Sequence, residues 1–168
     1  MGDIRKQHKK YKKPRKLFEK SRIEEENILL KKYGLKNKRE VWRAKSAIEE
    51  IRNRAKSLIN SKEKQADFIN KLKKRGFEVS TIDDVLSLDK ETFLTRRLQT
   101  ILVTKKLANT PRQARQLIVH KHILVNGKTI NSPSFIVPKD LENKITKKIK
   151  QKKEKIKEEI IEQKKAED

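Results

Sequence analysis

Two pairs of arginines are the residues of this sequence whose type and spacing could do chemistry. Arg96 and Arg97 are adjacent, and Arg112 and Arg115 are three residues apart, so a helix would carry the second pair on one face. A guanidinium group offers a planar fork of N–H donors that matches the oxygens of a phosphate. The stretch 92–139 holds all four and contains no Asp or Glu. Because carboxylates would repel phosphates, we predict that this stretch contacts nucleic acid.

The overall composition also favours a polyanionic partner. The chain has 168 residues, with 46 Lys and Arg against 23 Asp and Glu, which gives a formal net charge of +23. Such a charge exceeds what solubility requires, and nucleic acid is the natural counterion. A DNA-compacting protein or a basic protein at a membrane surface is an alternative, but either would need only charge and no shape-specific module.

Catalysis, metal binding and membrane insertion are not expected. The sequence has no Cys and only three His, so neither disulfides nor a cysteine-ligated zinc site can form. Four glycines form no phosphate-cradling loop, and no carboxylate pair has a pocket-like context. No run approaches the roughly 18 apolar residues of a membrane span, and the lysine-rich start is unlike a secretory signal. We therefore expect a soluble, non-enzymatic protein with no catalytic residue, cofactor, metal or small-molecule substrate.

The elements that must position the arginines begin with a basic arm, residues 1–16, which we expect to be disordered alone in water. Residues 17–92 have helical patterns throughout, and we expect them to fold only partly without RNA. Gly34 favours the end of a first helix, and Asn37 followed by Glu40 favours a capping box at the start of a second. That second helix has a long apolar stripe, and a third is predicted from about residue 64 to Gly76.

Residues 93–139 are predicted to form a miniature module of two helices and a hairpin. The helical period continues from 93 to 102, and Thr110 with Gln113 has the pattern of a capping box at the second helix. Asn126-Gly127, which stands between the apolar run 123–125 and the segment Lys128-Thr129-Ile130, is a strong hairpin signal.

Residues 135–137 could add a third short strand to this hairpin, which gives an α+β fold class for the chain. The remaining residues, 140–168, are a charged tail that we expect to be helical or frayed. Its nearly balanced charges favour a solvated or partner-docked segment over direct RNA binding.

The candidate RNA-binding residues are cations, amides and one tyrosine of the arm, the second helix and the module. They would read the shape of an RNA backbone more than its base edges. Arg112 and Arg115 are the strongest candidates, whereas Gln113 and Asn126 could equally serve only a cap and a turn. The full set is Arg5, Lys6, Lys9, Lys10, Tyr11, Lys12, Lys13, Arg15, Arg43, Arg96, Arg97, Arg112, Gln113, Arg115, Gln116, Lys121, Asn126 and Lys128.

The aromatic residues and histidines have less specific interpretations. Tyr33 and Trp42 could stack on bases, but their helical spacing favours packing. Tyr11 lies in the arm, has less to pack against and has more reason to meet RNA. His120 and His122 are assigned to a helix end and a strand start, because no further metal ligands accompany them.

Four motifs of the module resemble a known family. Their order and spacing are similar to those of the RNA-binding module of ribosomal small-subunit protein four, which also occurs in pseudouridine synthases, tyrosyl-tRNA synthetases and stress proteins. Alone, the module implies only binding to structured RNA. The motifs are Phe93-Leu94-Thr95-Arg96-Arg97-Leu98-Gln99-Thr100, Thr110-Pro111-Arg112-Gln113-Ala114-Arg115-Gln116-Leu117-Ile118, His122-Ile123-Leu124-Val125-Asn126-Gly127 and Pro133-Ser134-Phe135-Ile136-Val137.

The amino-terminal part resembles the archaeal and eukaryotic form of that ribosomal protein. The matches reach over residues 10–45 and 93–140. A relative in the nucleolar particle that processes pre-ribosomal RNA is the nearest alternative, but the last two amino-terminal motifs favour the ribosomal protein. These motifs include Lys10-Tyr11, Pro14-Arg15, Tyr33-Gly34-Leu35 and Asn37-Lys38-Arg39-Glu40-Val41-Trp42-Arg43.

The resemblance implies a primary binder of small-subunit ribosomal RNA that helps nucleate assembly of the subunit body and influences translational accuracy. It implies a cytoplasmic location, contacts with small-subunit proteins five and twelve, and no homo-oligomer. Two departures from the family matter. Lys121 stands where many members have Gly, which predicts either a left-handed backbone there or a slightly different end of the helix. The cysteine knuckle that binds a metal in some bacterial members is absent, so the resemblance gives no reason to expect a zinc site.

Overall fold

The structure, a computed structural model, describes residues 9–148, and eight helices and three short strands follow one another in that part of the chain. The observed α+β class confirms the prediction. Arg5, Lys6 and residues 149–168 of the predicted tail lie outside the described residues. The elements are α1 (Lys20–Tyr33), α2 (Lys38–Ser57), α3 (Lys62–Lys74), α4 (Ile82–Ser87), α5 (Lys90–Thr95), α6 (Leu98–Thr104), α7 (Pro111–Val119), β1 (Ile123–Val125), β2 (Lys128–Thr129), α8 (Lys139–Glu142) and β3 (Ile145–Lys147).

The turn between α1 and α2 forms where the sequence predicts it. Gly34 has φ 59° and ψ 38°, a left-handed conformation that a residue without Cβ adopts without strain. Its N–H donates to the carbonyls of Leu30 and Lys31, which satisfies the last turn of α1. The predicted apolar stripe of α2 faces inward, with buried side chains at Val41, Ala44, Ile48 and Ala55.

The capping box predicted at the start of α2 does not form. The side chain of Asn37 makes no capping hydrogen bond. The carboxylate of Glu40 accepts a long bond, 3.3 Å, from the N–H of Lys36 and turns to two arginines of the module. Two guanidinium groups bring opposite charge and several donors to the carboxylate, whereas a backbone N–H brings one uncharged donor, so Glu40 pairs with the arginines.

The helical pattern that continues past residue 93 is interrupted at Arg96 and Arg97. Helix α5 ends at Thr95, and the N–H of Leu98, the first residue of α6, donates to the carbonyl of Phe135 at 2.8 Å. The N–H of Val137 donates to the carbonyl of Arg96 at 3.1 Å. One continuous helix is therefore wrong here, because this backbone pairs with a segment about forty residues later.

The small sheet has the strand order β2-β1-β3 and is antiparallel. Asn126 and Gly127 have φ of 50° and 76° and form the predicted tight turn between β1 and β2. The third strand is β3, whereas residues 135–137 form only a single bridge, Arg97 with Ile136. The first residues of the predicted tail are thus neither a continuous helix nor frayed: α8 and β3 follow the module, and β3 completes its sheet.

Three groups of buried apolar side chains hold the described chain together. One lies inside the module, the second joins α2 to α3 and α4, and the third joins α1, α2 and α5. Phe93 packs against both the second and the third group, so the helical region is continuous. The module core includes Leu98, Leu102, Ala114, Ile118, Ile123, Val125, Val137 and Ile145. None of the helices in residues 9–148 combines the length and apolar character that a bilayer crossing requires.

Candidate nucleic-acid interface

One carboxylate from the helical region joins two arginines of the module. Glu40 of α2 accepts hydrogen bonds from Arg97 Nη2 at 2.7 Å and from Arg115 Nη2 at 2.8 Å, each on a different oxygen. A bond of 3.2 Å from Arg115 Nη1 makes the Arg115 contact bidentate. Folding therefore brings an acid to a module whose own stretch of sequence has none.

Burial and pairing act in opposite directions on this ion cluster. The side chain of Arg97 is 5% exposed and that of Glu40 is 16% exposed. Burial is the largest single influence on Glu40 and favours its neutral form, but the bonds and charges of Arg115 and Arg97 together outweigh it and lower the pKa. Burial also lowers the pKa of Arg97, against the bond to Glu40. Glu40 is therefore ionised at neutral pH, because its pKa is lowered from an ordinary value that already lies well below 7.

The adjacent pair Arg96 and Arg97 is largely engaged inside the protein. Arg97 is 4% exposed and donates to Glu40. Arg96 donates from Nη1 to Glu142 at 3.0 Å and from Nη2 to the carbonyl of Val137 at 2.9 Å. Contact of either arginine with phosphate stays a prediction, and the terminal nitrogens named here are already bonded within the protein. The two arginines tie the module to α2 on one side and to α8 on the other, because the buried carboxylate and carbonyl need partners.

The exposed cations of the module lie on α7, on the turn after it and on the hairpin. Arg112, Lys121 and Lys128 are exposed, and no salt bridge engages them within residues 9–148. Lys121 has φ 60°, the left-handed one of the two alternatives expected at this position. Contact of these three side chains with RNA stays a prediction. Their charges are not paired within residues 9–148 and can face a phosphate.

The polar side chains predicted beside these cations divide between structural and free positions. The carbonyl oxygen of the Gln113 side chain accepts from the N–H of Asn109 at 2.8 Å, and Thr110 accepts from the N–H of Gln113 at 3.2 Å. Gln113 therefore has a structural role at the start of α7, but its side chain bonds Asn109 and not Thr110 as a capping box requires, and its contact with RNA stays a prediction. Asn126 is exposed and holds the hairpin turn, and Gln116 is exposed on α7.

The described part of the arm lies along α2. The N–H of Lys12 donates to the Ser46 hydroxyl at 3.0 Å. The ring of Tyr11 is 6.0 Å from that of Trp42 between centroids, with a tilt of 38°. The expectation that Tyr11 has little to pack against is wrong, because α2 offers it this aromatic neighbour. The basic side chains of the arm remain exposed at Lys9, Lys10, Lys12, Lys13 and Arg15.

Tyr33 is a packing residue, as its spacing indicates, and Trp42 is half-buried beside Tyr11. Tyr33 is 6% exposed and its hydroxyl donates to Glu91 at 3.0 Å. The indole N–H of Trp42 donates to Glu26 at 2.8 Å, which fixes the ring that Tyr11 approaches.

A cleft of about 340 Å³ opens where the arm, α2 and the module meet. Glu40 is the one acid among its lining residues and faces four arginines, so the lining carries a formal charge of +3. Three of the predicted residues of the arm and the module converge here with Arg43 of α2. The lining residues are Tyr11, Asn37, Arg39, Glu40, Arg43, Arg97, Arg115, Pro133 and Ser134.

Sequence reasoning missed three residues of this region. Arg39 lines the cleft one helical turn before Arg43, and that spacing in the sequence could have revealed it. Glu40 was interpreted only as a capping residue. Gln99 is 1% exposed, and its side-chain Nε2, which has two N–H donors, lies 2.9–3.1 Å from the carbonyl oxygens of Tyr33, Gly34 and Pro111. No local pattern distinguishes such a buried amide from an exposed one.

The described residues offer no metal centre. Within residues 9–148 no three His, Asp or Glu side chains are grouped so that they could hold an ion. His120 and His122 lie at the end of α7 and before β1, with ring centroids 6.5 Å apart.

Comparisons with known proteins support an RNA-binding ribosomal identity for this site. Residues 96–142 match the family model described as S4 domain. The chain is 48% identical over 153 residues to the small ribosomal subunit protein uS4 of Saccharolobus islandicus (strain L.S.2.15 / Lassen #1). It is 47% identical over the same length to uS4 of Saccharolobus solfataricus (strain ATCC 35092 / DSM 1617 / JCM 11322 / P2). Each match covers 86% of this chain and 84% of the relative.

Proposed function

Since this chain belongs to the uS4 family of small ribosomal subunit proteins, in its archaeal form, we propose that it binds a structured junction of the ribosomal RNA and helps nucleate assembly of the subunit body. As a member of this family it is a structural constituent of the small subunit, binds ribosomal RNA and is not an enzyme. The observation that carries the proposal is the acid-free module with exposed cations at Arg112, Lys121 and Lys128.

Binding of this kind works through electrostatics and shape. Each basic group that meets a phosphate releases condensed counterions, which supplies affinity that falls as salt rises. A helical RNA displays a shallow minor groove and a backbone whose course depends on the fold, so a rigid basic surface selects a junction by its shape. Two helices and a hairpin on one core provide that rigidity in the module.

The finer parts of the proposal concern partners and organisation. We propose contacts with small-subunit proteins five and twelve, an influence on translational accuracy, a cytoplasmic location and no homo-oligomer. The working division is a basic arm (1–16), a helical region (17–92), the module (93–139) and a tail (140–168). The pairing of β1 with β3 argues for extending the module to residue 147.

The proposal is tested by measuring how the protein binds two RNAs across a salt series. One is a small-subunit ribosomal RNA junction, and the other is an unrelated RNA of equal length. We expect a junction preference that persists as salt rises. Changing Arg112 and Lys121 together to alanine should weaken junction binding about tenfold or more, because two charged contacts are lost. The matched control changes Lys56 and Lys64, two exposed lysines of the helical region, to alanine and so removes the same charge. Equal binding of both RNAs by the wild-type protein would contradict the proposed function.

A further inference from the structure

The cleft between α2 and the module has more positive charge than its own acid can balance. Both oxygens of Glu40 are engaged: Oε1 by Arg115 and the N–H of Lys36, and Oε2 by Arg97 and Arg115. Arg39 and Arg43, the two other arginines of the cleft, are exposed and form no hydrogen bond or salt bridge within residues 9–148. Like charges four residues apart destabilise a helix, so folding alone does not explain this pair.

A buried donor at the same cleft is also without a partner. The side chain of Arg97 is 5% exposed, and its Nε finds no hydrogen-bond acceptor in the described part of the chain. The Nε atoms of Arg22, Arg52 and Arg96 are also buried without an acceptor within residues 9–148, so the Arg97 donor supports a ligand here only together with the charge of the cleft. A cleft of about 340 Å³ can accommodate a larger group than the roughly 30 Å³ share of a water molecule.

We propose that this cleft binds one backbone phosphate of the RNA, with Arg39 and Arg43 as its direct ligands and Glu40 as a positioning residue. The proposal rests on the proposed function and gives it one specific subsite. Glu40 would hold the guanidinium groups of Arg97 and Arg115 in fixed planes, and the phosphate would sit on the side of the cleft that Arg39 and Arg43 line. An Arg fork suits the tetrahedral oxygens of a phosphate better than a lysine does.

Such a subsite would couple the two halves of the protein to one point on the RNA. Arg39 and Arg43 come from α2, whereas Arg97 and Arg115 come from the module, so the site is complete only when both are docked. Tyr11 of the arm lines the same cleft, which places the arm beside the proposed phosphate. An acidic peptide could satisfy the same charges, but the exposed cations on the arm and the module favour a continuous RNA backbone.

Ethylation interference on the ribosomal RNA junction tests the subsite directly. Ethylnitrosourea converts random phosphates to neutral triesters, and the bound and unbound RNA pools are then compared at each position. We expect wild-type protein to exclude triesters at a set of phosphates. In Arg43→Ala and Arg39→Ala, exclusion should be lost at the same one or two positions and kept at the others. Lys56→Ala, which removes one charge from the far end of α2, should keep the whole set.

Conservative and folding controls keep the test decisive. Arg43→Lys retains the charge but not the fork, so we expect partial exclusion at that position. Urea unfolding of each variant verifies that it folds, and Arg43 and Arg39 are exposed enough that wild-type midpoints are expected.

Two results would overturn the subsite. The first is a triester pattern that is identical in wild type, Arg39→Ala and Arg43→Ala. The second is the finding that a glutamate-rich peptide binds in a way that depends on Arg43, whereas the triester pattern on the RNA does not depend on Arg43. In either case a retained junction preference would leave the proposed function standing, whereas loss of that preference in the wild type would remove the function itself.

Discussion

Glu40 decides how the arginines of the cleft are arranged. Without it, Arg97 would be a buried cation with no counterion, which is far costlier than an unpaired charge at the surface. When Glu40 is present, its negative charge balances one of the four arginines of the cleft and leaves a formal charge of +3 for a ligand. The same side chain thus stabilises the fold and limits the charge that the RNA meets.

Changing Glu40 to Gln should reduce the free energy of unfolding by about 3 kcal/mol at neutral pH, because it leaves Arg97 buried and unpaired. The pKa of Glu40 is lowered by folding, so its contribution is present above its ordinary pKa of 4.5 and is lost as pH falls through the lower folded value. The difference between variant and wild type should therefore shrink below pH 4.5. Urea unfolding at several pH values measures it.

Glu50→Gln is the matched control for this prediction. Glu50 lies on the same helix and is exposed, so its change should stay within about 0.5 kcal/mol of wild type. A Glu40→Gln difference that is equally small, or that grows toward acid pH, would show that the ion cluster does not stabilise the fold.

Among the elements, those with strong local signals were predictable from the sequence. The glycine stop of α1, the stripe of α2, the Thr110 cap and the Asn126-Gly127 turn each depend on residues close together in the chain. Local propensity and side-chain period are sufficient to define such features.

The third strand and the arginine joints were not predictable in this way. β3 has three residues and one buried side chain, Ile145, so its sequence has no period that separates a strand from a charged helix. Glu40 meets Arg97 across 57 residues of sequence and Arg115 across 75. Only the folded chain shows that a carboxylate of α2, Glu40, pairs with the acid-free module. Two of the predicted phosphate ligands, Arg97 and Arg115, donate to this carboxylate.

Gln99 joins three elements, and its loss should weaken their packing. Its side-chain Nε2 lies within hydrogen-bond distance of carbonyls at the end of α1, at Gly34 and at the start of α7. Gln99→Leu keeps the size but leaves those carbonyls short of donors, and we expect a loss of about 2 kcal/mol in urea unfolding. Gln116→Leu makes the same chemical change at an exposed position of α7 and should be nearly neutral. Equal effects of the two substitutions would mean that the Gln99 bonds contribute no stability.

At the scale of the whole molecule, the net charge of +23 causes repulsion among the cations of the protein and attraction between the protein and RNA. Four of the nine ion pairs within residues 9–148 include a well-exposed side chain; one example is Lys32 with Glu91 at 2.6 Å. Exposed pairs of this type contribute roughly 0–1 kcal/mol each. Self-repulsion should therefore dominate the response of the free protein to salt.

Raising KCl from about 50 to 200 mM should increase the thermal midpoint of the free protein and decrease its affinity for the RNA junction. Screening weakens the repulsion among cations in the first case and reduces counterion release in the second. If six or more phosphates are contacted, affinity should fall by about a thousandfold or more over this range. Differential scanning calorimetry and filter binding in the same buffers measure both responses. A midpoint that falls with salt would mean that attractive pairs outweigh the repulsion of the net charge in the free protein.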